Sequence, residues 1–398
     1  MVMMNGKQIL NLDTTICINT PIKTYSMMAA QAIFLVAAFG HRYRGFMINN
    51  NQVTLIFQGA INGSLLGSGR EDGSDFLYNL QRTRAHFANA KVILSTWDHL
   101  PLPSQYDTAQ KLGIDQLILS SDPGGLPNIK FGYDTPNNVN RQIVSTLAGL
   151  QATATEYALK LRADSFLSSA AVLHHYADYL HQVTQRASAP VLENSPMAYS
   201  PIVVPNFFTI DPNVYEHMAF HVSDWAQFAR THTLLQYWSV DAMSQDDATY
   251  FERISHDCRA SYADHNFRTR LAVEQHIATR YAATFGYDTP SQFNQITPAI
   301  LQAHNDFLAR HIVVLDMADF GFALPKYAWT AQDEFMAMNC LNHDDWYQLF
   351  YDHWQPTEVD SARLHRATIR AAQKRQIAKS FRRAPITAQA HTMRQLYP

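Results

Sequence analysis

The stretch Lys160-Leu161-Arg162-Ala163-Asp164 sets two basic side chains and a carboxylate within five positions, at the end of a run that reads as a β-strand. Alternate residues of a strand share a face, so Lys160 and Arg162 point the same way and Asp164 follows just beyond them. A strand-end carboxylate can hold Mg²⁺ or Mn²⁺, hard cations that prefer oxygen. A nucleoside diphosphate-sugar needs that chemistry, because its departing diphosphate develops charge that a divalent ion or an arginine must take up. The same Arg162 and Asp164 would equally form a structural ion pair beside a sheet. Three further polar terminations close apolar runs: Gln58-Gly59, Trp97-Asp98 and Asp122-Pro123-Gly124. An Asp in such a place also caps helices and starts turns, but four terminations together point to one binding edge.

The elements that must position these residues follow from the apolar pattern. Val53–Phe57, Lys91–Trp97, Gln116–Ser120 and Tyr157–Arg162 read as buried strands. Helical patterns over Asp75–Ala88, Ser104–Leu112 and Val139–Leu150 separate them. Strands that alternate with helices and are nearly continuously apolar predict a doubly wound α/β fold, a mostly parallel Rossmann-type sheet with helices on both faces. Ligands of such sheets bind outside the carboxyl ends of the strands. After Pro190 the chain is broken by Pro196, Pro201, Pro205 and Pro212, then reads as helical from about Trp225 to Arg280, with no return of the strand rhythm. A last helix is expected over Val359–Arg383. The predicted organisation is an N-terminal extension (1–50), an α/β domain (51–330) and a helical, basic C-terminal region (331–398).

Several chemistries are excluded. Gly63, Gly67, Gly69 and Gly73 form neither G-x-G-x-x-G nor a P-loop, and no G-x-S-x-G elbow is present. Phosphate, if bound, must therefore be neutralised by a metal ion or by guanidinium groups. Cys17, Cys258 and Cys340 are too few for a disulfide scaffold and match no zinc spacing, so a reducing compartment is expected. The longest apolar run, Met27–Phe39, is shorter than the ~20 residues of a membrane span and is a poor signal peptide. The expected location is the cytoplasm.

Charge is unevenly placed along the 398 residues. The formal net charge is −3, yet nine of the 31 basic residues and none of the 34 acidic ones follow Asp360, which leaves −12 for residues 1–360. A basic tail is most simply a solvated helix face. It would also be drawn to an anionic inner-membrane surface, at about 1 kcal/mol per basic residue. Nucleic acid is not expected as a partner: no aromatic-interleaved basic platform is present, and the acidic body would repel a polyanion. The 18 histidines include His174-His175, His217 and His221, without H-E-x-x-H spacing.

Taken in order, Phe57-Gln58-Gly59, Ile93-Leu94-Ser95-Thr96-Trp97, Ser121-Asp122-Pro123-Gly124, Asn140-Arg141-Gln142-Ile143-Val144-Ser145-Thr146, Leu159-Lys160-Leu161-Arg162-Ala163-Asp164 and His221-Val222-Ser223-Asp224-Trp225 resemble successive blocks of the WavE-type lipopolysaccharide-synthesis proteins, a family of GT-A-like glycosyltransferases. The resemblance runs from Phe57 to about Gln275. It implies a nucleotide-sugar-dependent transferase that acts on lipopolysaccharide, capsule or another surface glycan. Two alternatives use the same fold: a sugar-phosphate transferase, and a non-catalytic glycan-binding or assembly protein.

The resemblance also implies roles. Gln58 and Gly59 approach the base and ribose, with Asp98 at the neighbouring strand end and Asp122 close to the nucleoside. Arg141 points at the diphosphate or donor sugar. Asp164 takes the place of the metal-binding acid of the D-x-D motif, with a divalent cation (Mn or Mg) as cofactor; Arg162 stands where the first Asp would be, and an arginine there can stabilise the leaving group directly. An inverting transfer needs a carboxylate to deprotonate the acceptor hydroxyl, for which Asp224 and Glu274 are candidates. Asp224 would alternatively cap a helix beginning at Trp225, and Glu274 would be a surface or ion-paired acid. Trp225 would stack on an acceptor sugar. His217 or His221 would supply a late metal or phosphate contact.

Overall fold

The computed structural model describes residues 47–61, 72–99, 105–186, 200–257 and 262–383. The run Met27–Phe39, Cys17, Cys258, the glycines at 63, 67 and 69 and the tail beyond Arg383 lie outside the described residues.

Seven strands form one sheet in the order β3-β2-β1-β4-β7-β6-β8. They are β1 (Val53–Gln58), β2 (Lys91–Trp97), β3 (Gln116–Ser120), β4 (Tyr157–Arg162), β6 (Ile202–Pro205), β7 (Ala226–Arg230) and β8 (Ile312–Leu315). A two-stranded ribbon joins β5 (Phe166–Leu167) to β9 (Phe322–Ala323). The pairs β1–β2, β2–β3, β1–β4 and β6–β8 are parallel, and β7 runs antiparallel to both β4 and β6. The predicted fold class, a mostly parallel α/β sheet, is the one found. All six residues of β1 are buried, as a strand covered on both faces requires.

The longer helices are α1 (Phe76–Arg84), α2 (Gln105–Leu112), α3 (Val139–Gln151), α4 (Ala171–Arg186), α5 (Thr231–Trp238), α6 (Val273–Ala283), α7 (Pro298–His311), α8 (His343–Trp354) and α9 (Ser361–Arg383). Residue parity assigns them to faces. Phe57 meets Phe76 of α1 edge-on at 5.2 Å, and Tyr157 meets Tyr176 of α4 at 5.7 Å, so α1 and α4 cover the face of the odd-numbered β1 and β4 residues. On the other face α3 lies so close that a Cβ added at Gly149 would meet Ile56 Cγ2 at 2.5 Å. There, too, α5 brings the Trp238 ring to 4.8 Å from Lys160 Nζ.

Two expectations are corrected. The second half of the chain does supply strands, and no helix begins at Trp225, because β7 starts at Ala226. Ile202-Val203-Val204 and Ile312-Val313-Val314 carry an ordinary β-branched signal, but strands of four residues are easily missed. The β7 sequence Ala-Gln-Phe-Ala-Arg has little β propensity of its own; it is held by pairing on both sides and by Gln227, whose amide donates to the Ser223 carbonyl and accepts from Trp238 Nε1.

The basic C-terminal helix is a second surprise. One stripe of α9 turns inward: Arg363 and Arg366 pair with Asp344, Arg370 with Asp345, and Lys374 with both Asp345 and Asp211, at 2.7–2.9 Å. Ala367 and Ala378 on the same stripe are buried. Four of the nine basic residues after Asp360 are thereby paired with acids of the body.

Candidate functional site

At the carboxyl ends of β1, β2 and β4 and the first turns of α3 lies an open cleft of about 380 Å³. It is lined by Gln58, Gly59, Ala60, Trp97, His99, Asp122, Asn138, Arg141, Gln142, Arg162, Ala163 and Asp164. Parallel pairing creates this convergence, because register sets Gln58 beside Ser95 on one side and beside Arg162 on the other. Gln58 Oε1 lies 2.8 Å from the Ser145 hydroxyl of α3. Gly59 has φ +106°, a conformation that favours glycine, and its N–H donates to Ser95 O at 3.0 Å.

Two bidentate ion pairs line the cleft. Arg141 donates through Nε and Nη2 to Asp122 at 2.7 and 2.8 Å, and through Nη1 to Asn138 Oδ1 at 2.8 Å. Arg162 donates through Nε and Nη2 to Asp164, both at 2.8 Å. Arg141 holds the Asp122 carboxyl below the usual range, with a further contribution from the Gly124 N–H. At Asp164 burial works upward, but the Arg162 hydrogen bonds and charge outweigh it and the carboxyl is lowered. A guanidinium has five N–H donors, so Arg162 keeps three and Arg141 two to turn toward an anion.

Whether Asp164 fits a metal ion can be tested on its donors. Both of its oxygens are committed to Arg162, and among the described residues no cluster of three or more His, Cys, Asp or Glu side chains is placed to hold an ion. Divalent cations of this type want several oxygen ligands. The residues do not fit a prebuilt cation site.

Asp98 is not a cleft residue. Its N–H donates to Ser120 O at 3.0 Å, and its carboxylate accepts from the Ser121 hydroxyl at 2.8 Å, bracing the turn that leads to Asp122. The lining residues His99, Asn138 and Gln142 were missed. His99 carried a faint signal, one residue past the Trp97-Asp98 termination.

Behind Arg162 the fold assembles a second polar group. The β4–β7 register pairs Leu161 with Ala226, which carries Asp224 to the level of Ala163. Lys160, wholly buried, donates through Nζ to the Asp224 carbonyl. Burial pushes its pKa down to about 8, against the opposing charge of Asp224. Asp224 is 3% exposed, and its Oδ2 has no hydrogen-bond partner among the described residues. Glu274, in the first turn of α6, lies 3.3 Å from His221 Nε2. Burial first, and the Asp224 charge second, raise the Glu274 carboxyl well above the ordinary carboxylate range. Burial lowers His221, whose Nδ1 sits 2.7 Å from Phe208 O.

Asp224 and Glu274, separated by 50 positions, thus share one neighbourhood, and Asp224 caps no helix. Trp225 is elsewhere in character. It is 5% exposed, stacked on Tyr327 at 5.4 Å and tilted against Phe208 at 4.9 Å, so its ring is enclosed rather than open to a sugar. His217 Nδ1 is 2.9 Å from Pro212 O and does not line the cleft.

A mostly parallel α/β sheet with a polar, arginine-bearing cleft at its carboxyl edge is the architecture of a doubly wound α/β protein. Within it, this chain belongs to the WavE lipopolysaccharide synthesis family, whose model matches residues 53–382. No curated protein matches the chain. Among solved structures it is similar to TarS 1–349 of S. aureus, at 10% identity and a TM-score of 0.29, covering 83% of this chain and 91% of that one. It is also similar to the mannosyltransferase PcManGT from Pyrobaculum calidifontis, solved in complex with GDP-Man and Mn²⁺, at 11% identity and a TM-score of 0.27, covering 90% and 95%.

Proposed function

We propose that this protein is a glycosyltransferase that takes a nucleotide-sugar into the cleft and passes the sugar to a lipopolysaccharide, capsule or other surface-glycan acceptor. The observation that carries the reading is the convergence of two guanidinium groups, Arg141 and Arg162, in one strand-end cleft of a chain from a lipopolysaccharide synthesis family. Gln58, Gly59 and Asp122 would hold the nucleoside. The N–H groups of Arg141 and Arg162 left free by their carboxylate partners would take the diphosphate, whose negative charge grows as the glycosidic bond breaks. Their orientation is set in advance by Asp122 and Asp164, so little reorganisation is needed at the moment of transfer. No step is assigned to a metal ion.

Glu274 is the base in this reading, because its side chain is 15% exposed and Asp224 is 3% exposed; neither is among the residues that line the cleft. Asp224 sets the charge around Glu274, and Trp225 stacks on Tyr327. Among the described residues no helix is long and apolar enough to cross a membrane. Among the described side chains, Arg375 and Lys379, exposed on α9, would meet an anionic inner-membrane surface that displays a lipid-linked acceptor.

The test is a panel of nucleotides and nucleotide-sugars scored by melting temperature, since a ligand that binds only the native state raises it. Donor hydrolysis or transfer is then followed with the stabilising compound. Release of a nucleoside diphosphate supports glycosyl transfer. Release of the monophosphate would indicate a sugar-phosphate transferase instead, and saccharide binding without nucleotide turnover would indicate a non-catalytic glycan-binding protein.

A further inference from the structure

Among the residues that line the cleft, Gln58 carries a buried amide: the residue is 4% exposed, and one end of its side chain is fixed against Ser145 of α3. The Ser145 hydroxyl lies 2.8 Å from that end and also 2.8 Å from Arg141 O, one turn back on the same helix. A hydroxyl has one hydrogen, so it can donate to only one of these neighbours. Arg141 O is a backbone carbonyl that can only accept, and it claims the hydrogen. The contact on the other side must then be made by a donor. The two ends of an amide have nearly the same shape, so hydrogen bonding decides which one faces Ser145, and here it is the NH₂ of Gln58. Its carbonyl is left at the far end of the amide, on the cleft side.

Such a carbonyl repels a phosphate oxygen and accepts from an O–H or N–H. Its position narrows the choice. Parallel register sets Gln58 beside Arg162, and parity puts both side chains on the α3 face. In the glycosyltransferase reading Arg162 takes the diphosphate. The strand order runs from β4 through β1 and β2 to β3, so Gln58 lies on the way from Arg162 to Asp122, at the nucleoside end. The group joined to the diphosphate on that side is the ribose. We propose that Gln58, held by Ser145, accepts a hydrogen bond from a ribose hydroxyl, so that the cleft takes ribonucleoside diphosphate-sugars and rejects deoxyribonucleotide-sugars. A deoxy nucleotide leaves the enclosed carbonyl unpaired, and an unpaired polar group is what lets such a site discriminate. Gln58 touches the ligand, and Ser145 acts through it as a positioning residue.

Ribose recognition rests on the glycosyltransferase reading, and the experiment keeps the two apart. UDP, GDP, CDP and ADP are titrated into the full chain by calorimetry, and the tightest of them is compared with its 2′-deoxy and 3′-deoxy forms. At least one deoxy form should bind about 10-fold more weakly. Gln58→Met keeps the length of the side chain and removes the amide. It should bring the ribo-to-deoxy ratio within about twofold, by weakening the ribonucleotide and not the deoxy form. Ser145→Ala should lower the ratio too, since the amide is then free to turn. A wild type that binds all three forms within about twofold, or a Gln58→Met variant that keeps the wild-type ratio, would overturn ribose recognition while leaving glycosyl transfer standing. An unchanged ratio in Ser145→Ala would overturn the held amide. Should Gln58→Met fold poorly, the wild-type ratio and Ser145→Ala decide. Failure of all four nucleoside diphosphates to bind the wild type would instead sink the functional reading.

Discussion

Asp164 gives both carboxylate oxygens to Arg162, accepting from Nε and Nη2 at 2.8 Å each. That geometry makes Asp164 a brace for a guanidinium, and it separates two roles experimentally. If Asp164 braces Arg162, nucleoside diphosphate should raise the melting temperature equally in chelator and in Mn²⁺, and Asp164→Asn should bind it as tightly as the wild type or more so, since a negative charge has been removed. A metal ligand would behave in the opposite way, with binding lost in chelator. Arg162→Lys keeps the charge but not the fork; a lost charged hydrogen bond of about 1.5–3 kcal/mol corresponds to roughly 10- to 150-fold in affinity by calorimetry.

The wall beneath that pair is tied by Asn79. Its amide donates to Gly73 O at 3.1 Å and Ala163 O at 2.9 Å, joining the loop before α1 to the residue ahead of Asp164. The approach is so close that a Cβ on Gly73, whose φ is +85°, would sit 2.6 Å from Asp164 O. Asn79→Ala leaves two buried carbonyls unpaired, which costs about 1–3 kcal/mol. Denaturant unfolding should record that loss, and donor affinity should fall with it. Unchanged stability would mean water replaces the amide.

The C-terminal helix should behave as an electrostatic strap. Lys374 has a side chain only 6% exposed, between Asp345 and Asp211. Removing one partner of a buried pair strands the other charge, so Asp345→Ala should destabilise the protein by about 3–5 kcal/mol. A melting temperature unmoved by that change would place α9 free of the body.

The same strap predicts an acid transition. At Asp211 and Asp344 burial acts to raise the carboxyl, but Lys374 in one case and Arg366 with Arg363 in the other lower it overall. A carboxyl depressed by folding contributes stability that is present above its unfolded value of about 3.9 and is lost as pH falls through the lower folded value. Stability should therefore hold to about pH 4 and fall below it. Asp344→Asn should flatten that acid limb in a series of unfolding curves.

Much of the cleft was legible because it is local. Gln58, Asp122 and Asp164 sit where apolar runs end, and in a parallel sheet those ends lie along one edge whatever the details of packing. Arg141 was reachable as a first-turn residue of the next helix. Trp225 failed as a sugar platform for the converse reason: residue type says that an aromatic can stack, but exposure is decided by Tyr327 and Phe208, which are 102 and 17 positions away. The tail misled in the same manner, since a run without acids looks solvent-facing until Asp211, Asp344 and Asp345 are folded against it.

The sequence by itself determined the alternation of strands and helices, the strand-end placement of the polar residues and the charge imbalance between body and tail, all of which follow from periodicity and composition over short windows. Tertiary structure alone decided which carboxylates meet which arginines, that Lys160 is buried under Asp224, and that Glu274 faces His221 across 53 positions. Those outcomes depend on the antiparallel insertion of β7 beside β4 and on the docking of α6 and α9, contacts whose energies arise between segments remote in the chain and leave no local pattern to read.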